Sequence, residues 1–130
     1  MVVGVRGGGR GGVHHRLGRA ARAGRGRNLD PADGRVLWRT AVYGWAWGRP
    51  AVTDSTVYLG AVGSEPYEIR HLGSLTAMDR KTGKGTWRWP MPEWPGSLLN
   101  GFAASPVIDG KMLFIGGVDG CLYAFPIGLD

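Results

Sequence analysis

Ala77-Met-Asp-Arg-Lys-Thr-Gly-Lys-Gly-Thr-Trp87 decides how this chain is read, because an imperfect copy of it lies upstream in Leu29 to Trp38. Asp30, Gly34 and Trp38 repeat the spacing of Asp79, Gly83 and Trp87 at a single offset of 49 residues (79 − 30 = 83 − 34 = 87 − 38). Three matches at one offset mark an internal repeat. Asp followed by polar residues and then Gly is turn chemistry: the carboxylate accepts backbone N–H bonds, and Gly takes φ > 0 without a Cβ clash. A Trp four residues after the Gly can fold its indole back over the turn, and its apolar area then fastens one repeat to its neighbour. On that reading truncating Trp87 to Ala costs about 3–5 kcal/mol, and truncating Trp94, in a Pro-flanked loop, costs much less.

Outward from this motif the chain falls into strand-sized pieces. Pro50 to Gly60 aligns without a gap on Pro106 to Gly116, with Val52 on Ile108, Tyr58 on Phe114 and Leu59 on Ile115. Gly73-Ser-Leu-Thr-Ala-Met78 matches Gly120-Cys-Leu-Tyr-Ala-Phe125, where apolar residues alternate with small or polar ones as in a half-buried strand. The first copy carries an insertion between Gly60 and Gly73, where the second has a tight Asp119-Gly120 hairpin signal. Each unit therefore runs through three strands, the Asp-to-Trp turn and a fourth strand, with a period near 50 residues. Four short antiparallel strands per repeat make a propeller blade, which must stack on neighbours to bury its faces. Residues 36–42 supply the last strand of one blade, 48–89 a full blade and 103–126 three strands of the next. The expectation is an all-β, partial β-propeller of about two blade equivalents. Its open faces, lined by Val107, Leu113, Ile115 and Leu122, should drive self-association.

Composition agrees. In 130 residues there are 24 Gly and 8 Pro, a turn-rich balance suited to short strands. The formal charge of +6 suggests nucleic acid until it is located: residues 1–27 hold seven Arg and no acid, so the rest of the chain carries 6 − 7 = −1. That leader reads as disordered, because Gly, Arg and Ala bury too little apolar surface to offset ordering. Arg6-Gly-Gly-Gly-Arg10 suits an RNA-binding arm, but no aromatic residue is interleaved to stack on bases; a start-site or reading-frame artefact accounts for the same composition. His14 and His15 have no further ligands nearby. A single Cys121 excludes an internal disulfide and a cysteine-cluster metal site. No run of about 18 apolar residues is present, and no apolar segment of a secretory signal follows the first arginines.

The chain resembles the PQQ-like (pyrroloquinoline-quinone-type) β-propeller repeats found in quinoprotein alcohol dehydrogenases, in an outer-membrane assembly lipoprotein and in sensor-like extracytoplasmic proteins. Ala77, Asp79, Thr82, Gly83, Lys84 and Trp87 match that family's tryptophan-docking motif; Asp30, Gly34 and Trp38 match it in part, with Asn28 where Ala is expected. The resemblance covers residues 28–126 and implies a structural motif, with an extracytoplasmic location. It also raises the question of quinone chemistry, for which the family uses a vicinal cysteine pair, Ca²⁺ and an Asp base. One cysteine cannot supply the pair. Asp33, Asp54, Glu65, Glu68, Glu93, Asp109 and Asp119 mostly occupy turn contexts where acids are ordinary, and His71 stands alone in a loop.

Two functions follow. The first is a scaffold or interaction module, non-catalytic, needing no cofactor, whose loops present Trp45, Trp47, Tyr67 and Trp94 to further blades or a protein partner; packing between blades is the plainer role for each Trp. The alternative is a fragment of a PQQ-dependent dehydrogenase whose PQQ and Ca²⁺ residues lie on other blades.

Overall fold

The computed structural model describes residues 2–6, 24–42, 44–63, 73–92 and 99–128. The described residues form three antiparallel sheets, as the all-β reading expects. The first consists of β1 (Val2–Arg6), β2 (Gly24–Leu29) and β3 (Val36–Val42), in that order. The second is β4 (Ala51–Val52), β5 (Thr56–Gly63), β6 (Ser74–Asp79) and β7 (Gly85–Pro90), with β8 (Asn100–Gly101) pairing the far end of β5. The third is β9 (Val107–Asp109), β10 (Met112–Gly116) and β11 (Leu122–Pro126). No helix occurs among the described residues.

The two Asp–Gly turns are the same object built twice. In the second sheet Asp79 Oδ1 accepts from Lys81 N (3.0 Å), Thr82 N (2.8 Å) and Thr82 Oγ1 (2.9 Å), and Gly83 N donates to Asp79 O at 2.8 Å. In the first, Ala32 N donates to Asp30 Oδ1 at 2.9 Å and Gly34 N to Asp30 O at 2.8 Å. Gly34 and Gly83 have φ of 74° and 73°, the left-handed region where a Cβ is strained. Both turns are followed by one extra residue on the outgoing strand: Asn28 faces Trp38 and Ala77 faces Trp87 across the ladder, with a register shift at each. That bulge sends both Trp side chains to one face of their sheet.

We call the face a sheet turns to the next sheet in chain order its forward face, and the opposite one its rear face. Trp38 and Val42 of the first sheet, with Ala46 from the loop that follows it, pack against Val57, Leu59 and Met78 on the rear of the second. Tyr58, Leu75 and Ala77 on the forward face of the second pack against Leu113 and Ile115 on the rear of the third, with Phe102 and Met91 closing the layer. Alternation along each strand explains the assignment, since residues two apart share a face. Strands β5 and β6 lie between two layers and are buried on both sides. Close sheet approach there needs Gly60, whose added Cβ would lie 2.9 Å from both Ile115 Cδ1 and Phe102 Cβ.

Two expectations are corrected. Residues 1–27 were read as a disordered leader, yet β1 and the start of β2 fall inside them; 7–23 lie outside the described residues. Pairing supplies what composition lacks: β3 offers a free edge, and along β2 the residues turned to the next sheet include Gly26, small enough that an added Cβ would sit 3.9 Å from the Met78 sulfur. Leu113 and Ile115 do not line an open face. They are 0% and 1% exposed against the second sheet, whereas Val107 and Leu122, on the other side of the third sheet, are 62% and 74% exposed.

Candidate interaction site

Trp38 shows how the repeats are joined. Its Nε1 donates to Arg80 O at 2.9 Å, and its ring covers Gly83, where a Cβ would lie 2.5 Å from the indole. Thr40 Oγ1, two residues along the same face, donates to Gly83 O. The indole therefore caps the turn of the next sheet, not its own. The reason is directional: β3 leaves its turn with Trp38 on the forward face, beyond reach of Asp30 to Gly34. Asn28, which departs from the Ala of the better copy, is buried and donates a long 3.5 Å bond from Nδ2 to the same Arg80 carbonyl. Two donors from the first sheet thus converge on one carbonyl of the second.

Trp87, expected to be the buried docking residue, is 39% exposed. It touches Phe125 edge-on, with ring centroids 5.5 Å apart. The turn it would cap belongs after β11, and the matching sequence, Pro126-Ile-Gly-Leu-Asp130, has Pro in place of the turn-forming Asp. Proline has no N–H to donate and cannot carry the carboxylate that organises the turn. Next to it, Trp89 is enclosed among Phe102, Tyr123 and Phe125, with centroids 5.2–6.0 Å apart. None of the sequence signals singled out Trp89; its alternation with Trp87 on one face was the available clue.

Of the four aromatic residues expected to meet a partner, Trp45 and Trp47 are described, while Tyr67 and Trp94 lie outside the described residues. The Trp45 backbone makes two bonds with Val62, N to O at 2.7 Å and the reverse at 2.8 Å. Arg49 N donates to Ser105 Oγ at 2.8 Å, and Gly48 sits against the Ala104 carbonyl, where an added Cβ would be only 2.5 Å from the oxygen. The loop is therefore fixed at both ends to its neighbours. Between these anchors Trp47 is 58% exposed and stacks on Trp45, ring centroids 6.1 Å apart and planes 25° apart. Shared π-faces of this kind hold each other in place with few rotamers to lose.

Among the described residues no three His, Cys, Asp or Glu side chains gather. Asp79 and Asp30 serve their own turns, Asp33 accepts from Arg35 N, and Asp119 accepts from Cys121 N and the Tyr123 hydroxyl. The single, exposed Cys121 cannot form a vicinal disulfide. Glu65, Glu68, Glu93 and His71 lie outside the described residues.

Turn bonding leaves an electrostatic trace. Donors from Thr82 and then Lys81 hold the Asp79 carboxyl below its ordinary 3.8. The Tyr123 phenol, donating to Asp119, is pushed up to about 12, and Asp119 is lowered by the same bond. For a carboxyl whose folded value is depressed, the added stability is complete above the unfolded value and is lost as pH falls through the folded one. Acid unfolding is accordingly expected to begin as pH drops below about 3.8. In Asp79→Asn the pH dependence of the urea midpoint in that window should flatten, and an unchanged slope would remove Asp79 from the account.

The family described as outer membrane protein assembly factor BamB matches residues 4–128 of this sequence. The chain belongs to that family. Among solved structures, BamB from Moraxella catarrhalis resembles it with a TM-score of 0.62 at 21% identity, over 81% of this chain and 32% of that one. At this identity the likeness speaks for the fold, a β-propeller of PQQ-like repeats, and the chain spans about a third of the length of that BamB. The family match begins at residue 4, inside the span read as a leader. No curated protein matches the chain.

Proposed function

We propose that this chain is a non-catalytic interaction module in an extracytoplasmic assembly concerned with outer-membrane proteins, and that the Trp45–Trp47 platform is its contact with a protein partner. The carrying observation is a stacked indole pair, 58% exposed at Trp47, on a loop the fold holds fixed. Rigid exposed tryptophan offers large contact area at low entropic cost, which is why Trp is enriched at interface hot spots. Family membership supplies the setting, since outer-membrane protein assembly is what the family's description states.

The test separates folding from binding. Trp47→Ser should change the unfolding free energy by no more than about 0.5 kcal/mol, as for an exposed side chain. In the source organism it should lower the amount of assembled outer-membrane β-barrel protein, with the level of the chain itself unchanged. Normal barrel levels in the Trp45→Ser, Trp47→Ser double variant would sink the proposal. The same reading assigns no PQQ or Ca²⁺ to the chain, and a quinone chromophore retained after addition of both would overturn that part.

A further inference from the structure

We draw no further inference here: the strongest candidate, the cleft of about 350 Å³ beside the turns at 30–34 and 79–83, lined by Asn28, Leu29, Pro31, Leu37, Arg80 and Lys81, carries nothing, because Leu29 holds the repeat position of Met78 (29 + 49 = 78), which a neighbouring sheet buries, and nothing in the structure shows what covers that wall of the cleft.

Discussion

Trp38→Ala is expected to lower the unfolding free energy by about 3–5 kcal/mol, the range for removing a buried Trp from a core. Trp38 is 8% exposed, so nearly all of its ring area is withdrawn from water. The substitution also strips Arg80 O of its nearest donor, at 2.9 Å, and uncovers the Gly83 turn. Trp87→Ala should cost under about 2 kcal/mol, since a ring 39% exposed has less apolar area to lose. Urea unfolding of the two variants side by side measures the difference. Equal losses would mean that the indole–carbonyl contact between the first two sheets contributes nothing beyond what Trp87 gains from Phe125.

The second large effect is at Gly83. Gly83→Ala combines two costs: the left-handed backbone at φ 73°, roughly 1–2 kcal/mol for a residue with a Cβ, and a methyl driven into the Trp38 ring, about 1–3 kcal/mol for overpacking. Gly34 isolates the first cost. Its φ is 74°, but nothing lies within 4 Å of the position its Cβ would take. Gly34→Ala should therefore cost roughly 1–2 kcal/mol and Gly83→Ala about 2–5 kcal/mol. In the Trp38→Ala background the clash disappears, and the cost at Gly83 should fall to that at Gly34. A cost that stays the same would show that the indole is not what restricts this glycine.

What the sequence determined by itself was everything set by local chemistry. The Asp30–Gly34 and Asp79–Gly83 turns were legible because an Asp carboxylate and a φ-permissive glycine act within five residues of one another. Strands β5, β6, β10 and β11 were legible from alternation, and the repeat offset gave the propeller class. The exposed Trp47 was named from its aromatic loop, although its stacking on Trp45 and the anchoring of the loop to Val62 and Ser105 depend on neighbours far along the chain. The tertiary structure alone decided which tryptophan is buried, because a docking indole needs the turn of the following sheet and Trp87 meets Phe125 instead. It alone placed strands in the Gly/Arg-rich start, where composition predicted none but β3 offered an edge to pair with. And it alone assigned Leu113 and Ile115 to a closed interface and Leu122 to an open one: alternation says that two sets of side chains point opposite ways, and only the position of the next sheet says which set is covered.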